Sequence, residues 1–263
     1  MAIVVAEINP LSESHAIACT KAAVDAGCEN VILSSLDPQH DLNRYAAKVR
    51  DHYPYLPVGV RRTNGISMEQ DITLNAQLGF GINCLANYNQ NATTVGQNLK
   101  SVHPALIQQE SKQAVLVFCF VDAWWQPSED SYALQVYNYP KDYYIIATTG
   151  STRRALPSMS KVLQLRAAIG ETPIALACTM DASQFVPYAS FVDWLIVPIQ
   201  IPPVRGLESF DALVPSQLTK LIQVASRHRH RDVIVRQPEG TPSKRNHSLE
   251  DIHAANLNLL FGD

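Results

Sequence analysis

Short apolar, β-branched runs alternate with longer segments of helical period along most of the chain. The strand-like runs are "AIVVAEI" (2–8), "NVILSSL" (30–36), "PVGVRRT" (57–63), "FGINCLA" (80–86), "AVLVFCFVD" (114–122), "YYIIATT" (143–149), "PIALACT" (173–179) and "WLIVPIQ" (194–200). Between them lie "SHAIACTKAAVDAG", "HDLNRYAAKVRDHYP", "SMEQDITLNAQLG" and "SMSKVLQLRAAIG". Three of these helical segments end in glycine (Gly27, Gly79, Gly170), the residue expected just past a helix terminus. Strands that are apolar on both faces belong to a parallel sheet covered by helices. Eight β units in series, each followed by a helix, predict an α/β fold, the single-domain TIM (β/α)8 barrel, over residues 1–235. Residues 236–263 are expected to pack on the barrel or on a second copy of the chain, as in a homo-oligomer. An open doubly wound sheet would carry a glycine-rich turn after its first strand; "AEINPLSES" has none.

Composition adds three constraints. The 263 residues are 46% apolar, enough for one large core, and the formal charge is -3. No overall basic field favours nucleic acid or an anionic membrane. The five cysteines (Cys19, Cys28, Cys84, Cys119, Cys178) are scattered and odd in number, so they read as reduced thiols of a cytoplasmic protein. "MAIVVAEINP" lacks a basic leader region and reaches Glu7 after six residues, which is expected of a strand rather than a signal peptide or membrane span.

In a barrel, function sits where strands run out into the following loops. Those positions hold Glu7 on the first strand, Arg61 and Arg62 on the third, Asn83 on the fourth, and Asp122 and Trp124 on the fifth. The sixth supplies Thr148, Thr149, Gly150, Ser151 and Arg153; the seventh and eighth supply Thr179 and Gln200. No histidine ends a predicted strand, so a histidine-based metal site at the mouth is not expected. No lysine does either, which disfavours Schiff-base chemistry. No cofactor motif is present, and none is expected. "RHRHR" (227–231) ends the last long helix and reads as a solvated, cationic terminus rather than a metal or nucleic-acid site.

The segment "YYIIATTGSTRRALPSMSKVLQLRAAIGETPIALACTMDASQFVPYASFVDWLIV" resembles the second half of BtpA-like and phosphoribosylanthranilate isomerase-like barrels. There a strand ending in Thr-Gly leads into a Leu-x-x-Leu-Arg helix. The resemblance covers residues 143–200. It implies a sugar-phosphate or nucleotide-like ligand held by the loops after strands six to eight. It also implies a general acid at the end of strand five, the place of Asp122, while Glu7 stands near the place of the first-strand base. The chain departs from the pattern after strand seven, where "ACTMDASQF" lacks glycine, and after strand eight, where "VPIQIPPVRG" brings in prolines that remove donors.

Two readings of "TTGSTRR" stay open at this point. Gly150, the hydroxyls and the arginines suit a phosphate or carboxylate; the same residues also suit an ordinary strand-to-helix turn with a Ser/Thr cap. Glu7 and Asp122 divide the same way. A carboxylate ending a doubly buried strand is either an acid/base group poised in a pocket or half of an ion pair, for which Arg61 or Arg62 is the partner. The expected function is binding of a small, anionic, phosphorylated ligand at the C-terminal face, with metal-free isomerase or lyase chemistry. The alternative is a barrel kept as a binding or assembly module.

Overall fold

The computed structural model describes residues 2–35, 37, 41–62, 68–86, 106, 109, 115–120, 144–150, 154–201 and 212–227. Eight strands close into a barrel in chain order: β1 (Ile3–Ile8), β2 (Asn30–Ser34), β3 (Val58–Arg61), β4 (Ile82–Ala86), β5 (Leu116–Phe120), β6 (Ile145–Thr148), β7 (Ile174–Ala177) and β8 (Trp194–Ile199). Every neighbouring pair is parallel, and β1 closes on β8 over six residue pairs from Ile3–Trp194 to Ile8–Ile199. Each of the eight predicted runs is a strand, shortened at its ends.

The described helices are α1 (Glu13–Asp25), α2 (Leu42–His52), α3 (Met68–Leu78), α4 (Met159–Ile169), the one-turn α5 (Ala182–Phe185) and α6 (Pro215–Arg227). Local chemistry fixes their ends. Ser12, Asp41 and Ser158 cap the first, second and fourth, each accepting a backbone N–H three residues on. Asp181 and Gln184 form a reciprocal capping box on α5. Gly27, Gly79 and Gly170 all take positive φ (101°, 68° and 61°) after their helices, as their positions in the sequence predicted.

Alternation along each strand divides the core into two apolar layers. Ile3, Val5, Ile32, Phe118, Phe120 and Ile196 fill the lumen. Val4, Val31, Val60, Leu176, Val197 and their neighbours fill the annulus between strands and helices. At the floor of the barrel, Trp194 meets Phe118 edge to face with ring centroids 5.5 Å apart. The lumen ends upward in polar side chains, and those are the candidate site. No described helix is long and apolar enough to cross a membrane. The predicted tail, 236–263, and the "RHRHR" histidines lie outside the described residues.

Candidate functional site

Glu7 is the last lumen-facing residue of β1. Its side chain is 2% exposed, and three groups from other elements converge on it. Ser34 Oγ donates to Oε1 at 2.6 Å, and Arg61 Nη1 donates to the same oxygen at 3.4 Å. Arg154 brings Nε to 3.7 Å from Oε2. Ser34 and Arg61 are register partners of β2 and β3, so both point the same way into the lumen. The Arg61 guanidinium also lies over the Phe120 ring, 4.0 Å from its centroid, an arrangement that stabilises a desolvated cation. Two guanidiniums on one carboxylate give this trio one net positive charge at the barrel mouth.

Arg154 reaches Glu7 through an unusual backbone. Its φ is 67°, a left-handed conformation that costs a residue with a Cβ about 1–2 kcal/mol. Arg154 pairs with Cys178 beyond the end of β7, and its carbonyl accepts the Thr179 amide at 2.9 Å. The loop that carries it folds back on itself. The Gly150 amide donates to the Ala155 carbonyl at 2.7 Å, as does the Thr149 hydroxyl at 3.1 Å. A Cβ on Gly150 would stand 2.6 Å from the Leu156 oxygen, so close approach of backbone explains this glycine. Behind the loop, buried Lys161 in the first turn of α4 donates from Nζ to the Thr149 carbonyl at 2.7 Å.

The residues collected at the strand ends therefore separate. Glu7 and Arg61 meet, as one of the two readings required. Arg62, the next residue, turns outward; it pairs with Asp71 and hydrogen-bonds Asn43 and Asn75 of α2 and α3. Asn83 also faces the annulus, since its register partners Val60 and Val117 do. It is fully buried between Asn75, which donates to it at 2.7 Å, and Gln109, to which it donates at 2.8 Å. Thr148 pairs with annulus-facing Leu176 and is likewise buried away from the lumen. Asp122, Trp124, Ser151 and Arg153 lie outside the described residues.

Gln200 borders a cleft between the ends of β1 and β8, together with Asn9, Leu11, His15, Arg154 and Ala212. Asn9 Oδ1 is buried there without a hydrogen-bond partner. The chain leaves β8 and returns beside it: Leu213 donates to Pro198 and accepts from Gln200, at 2.8 and 3.1 Å. Sequence reasoning missed Arg154 as the pairing arginine, and it missed His15. The spacing Ser12-x-x-His15 at a helix start was the one available signal for the latter. Among the described residues, no three His, Cys, Asp or Glu side chains gather as a metal site requires.

The chain matches no protein-family model and no curated protein by sequence. Solved structures do resemble it. A ligand complex of KGPDC from Streptococcus mutans superposes with a TM-score of 0.64 over 86% of this chain and 99% of that one, at 9% identity. For 3-hexulose-6-phosphate synthase from Salmonella typhimurium the TM-score is 0.63 at 12% identity, covering 86% and 100%. For the phosphoribosylanthranilate isomerase of Thermotoga maritima it is 0.55 at 12% identity, covering 86% and 99%. The protein has the (β/α)8 barrel fold of these enzymes.

Proposed function

We propose that this barrel binds a small phosphorylated ligand at its C-terminal mouth, with the phosphate taken by Arg154 and Arg61. The observation that carries the reading is the convergence of these two guanidiniums, from β3 and from the loop after β6, on the single carboxylate of Glu7. An arriving dianion offers Arg154 a closer and more highly charged partner than Glu7 at 3.7 Å. The Thr179 amide holds the Arg154 carbonyl, and the Gly150 amide is already committed to Ala155. The names of two superposing enzymes, a hexulose-6-phosphate synthase and a phosphoribosylanthranilate isomerase, support the same ligand class. BtpA-like barrels are the more specific relatives that the 143–200 segment suggests.

Metal-free proton transfer of the isomerase or lyase kind is the chemistry the reading favours, with Glu7 and Asp122 as the carboxylates. One observation supports the second reading, a binding barrel without turnover. Both Glu7 oxygens are already engaged, Oε1 by Ser34 and Arg61 and Oε2 by Arg154, so Glu7 serves as counter-charge before it serves as a base. The test is a thermal shift with phosphate, sulfate and ribose 5-phosphate on wild type, Arg154→Met and Gly150→Asp. Stabilisation should follow RT ln(1 + [L]/Kd), and both variants should lose it. A wild type that no anion stabilises, or an Arg154→Met variant that responds as wild type does, sinks the proposal.

A further inference from the structure

A chain of hydrogen bonds runs beneath the cleft between β1 and β8. The Leu11 amide donates to His15 Nδ1 at 3.1 Å. The other ring nitrogen, Nε2, lies 3.3 Å from Cys19 Sγ. The Ile201 backbone, just past β8, approaches the same sulfur. An amide N–H only donates, so His15 Nδ1 holds a lone pair, and the ring is neutral with its proton on Nε2. The His15 backbone amide in turn donates to the N-cap, Ser12 Oγ, at 3.1 Å.

We propose that His15 is a positioning residue: neutral, it ties the β1–α1 loop to the end of β8, and protonated, it releases the loop. A proton on Nδ1 sets an N–H against the Leu11 N–H, donor against donor, and the ring must turn. Its turning disturbs Cys19 and, through the sulfur, Ile201. Asn9, Leu11 and Gln200, which border the cleft, sit on the two segments so joined.

The surroundings favour the neutral ring. Burial lowers the His15 pKa below its ordinary value. Arg154 borders the same cleft and adds a repelling cation. On α1 itself the titratable neighbours are Cys19, whose thiol burial pushes up, and Glu13, which is occupied by Arg44 of α2 at 3.0 Å. Pro198, Ile199, Gln200 and Ala212, the cleft residues on the β8 side, carry no titratable group. The Ser12 cap on the His15 backbone amide does not involve the ring and holds at every pH. The tie through the ring depends on the proton and needs no assumption about the ligand.

Amide exchange by NMR separates the two. The full chain is followed from pH 7.5 down to the pH at which the His15 ring nitrogens report protonation, with rates referred to random-coil values at each pH. The expected result is at least a tenfold loss of protection at Leu11 with the ring's own midpoint, a shift of the Ile201 amide at that midpoint, and unchanged protection of Val5 and Val197. In His15→Asn, whose side-chain oxygen keeps an acceptor near the Nδ1 position and does not titrate, Leu11 should stay protected throughout. The proposal is overturned if Leu11 keeps its protection after the ring protonates, if His15→Asn shows the same acid response, or if Val5 and Val197 open together with Leu11.

Discussion

Arg61 and Arg62 are chain neighbours that serve opposite sides of the barrel wall. Arg61 points into the lumen and pairs with Glu7 at 3.4 Å; Arg62 points out and pairs with Asp71 of α3. A strand's two-residue alternation places them so.

The inner pair makes a stability prediction. Both partners are almost fully buried, with side-chain exposures of 4% and 2%. Removing one charge from such a pair strands the other and costs about 3–5 kcal/mol. Glu7→Gln should therefore lower the urea midpoint by that equivalent with an unchanged m-value. A strained carboxylate kept only for chemistry would behave oppositely, and the amide would leave stability equal or raise it by about 0.5–2 kcal/mol. A stable Glu7→Gln protein would return Glu7 to the acid/base role.

The outer pair makes a pH prediction. Burial pushes the Asp71 carboxyl up to about 6, against the opposing pull of Arg62. A folded-state pKa above the unfolded one means the native state holds the proton more tightly. The stabilisation is complete below the unfolded value near 3.8 and is lost as pH rises through about 6. Relative to Asp71→Asn, the wild type should lose about 3 kcal/mol between pH 3.5 and pH 7. Urea unfolding of both proteins at several pH values measures the difference. A pH-independent gap between them would contradict the assignment.

Gly150 should tolerate no side chain. Its Cβ position is 2.6 Å from the Leu156 oxygen and 2.8 Å from the Ala155 oxygen, both backbone atoms that cannot swing aside. Gly150→Ala is expected to cost about 1–3 kcal/mol, the range for forced overpacking. If the loop shifts to relieve the clash, Arg154 moves with it, and phosphate stabilisation falls more steeply than stability. A variant that loses neither quantity would mean the loop is looser than its contacts imply.

Asp193 is the counter-example at the opposite end of the barrel. It accepts from Arg166 Nη2 at 2.8 Å and from the Ile174 amide at 2.9 Å, while Arg166 also bonds the carbonyls of Gly170, Thr172 and Phe191. Asp193→Ala should cost about 2–4 kcal/mol, because it leaves the buried Ile174 amide without its acceptor and Arg166 without its counter-charge. Phosphate binding by the folded fraction should be unchanged. A change in affinity would mean that the floor and the mouth are coupled.

The fold was legible because each barrel unit announces itself twice, by an apolar run and by a helix start or glycine stop. Ser12, Asp41, Ser158 and Gly170 are such marks. The direction of each side chain was far less legible. In strands buried on both faces the apolar pattern carries no parity, so nothing distinguished inward Arg61 from outward Arg62, or placed Asn83 in the annulus rather than at the mouth. Polar residues at strand ends could only be collected together. The pairing of Arg154 with Glu7 escaped for a different reason. A left-handed residue other than glycine is a tertiary outcome, held by Cys178 and Thr179 across the loop, and it leaves no mark in its own segment.

The β1–β8 seam has a consequence for how the chain reaches this state. Its six register pairs join Ile3–Ile8 to Trp194–Ile199, segments some 190 residues apart, whereas every other strand pair joins consecutive strands. Loop closure makes such a pairing the slowest to find. Barrel closure should thus be the late event in folding, with β1 waiting for β8. Because contacts absent from the folding transition state govern the unfolding rate, anything that grips both edges of the seam should lengthen the lifetime of the native protein and leave its folding rate nearly untouched.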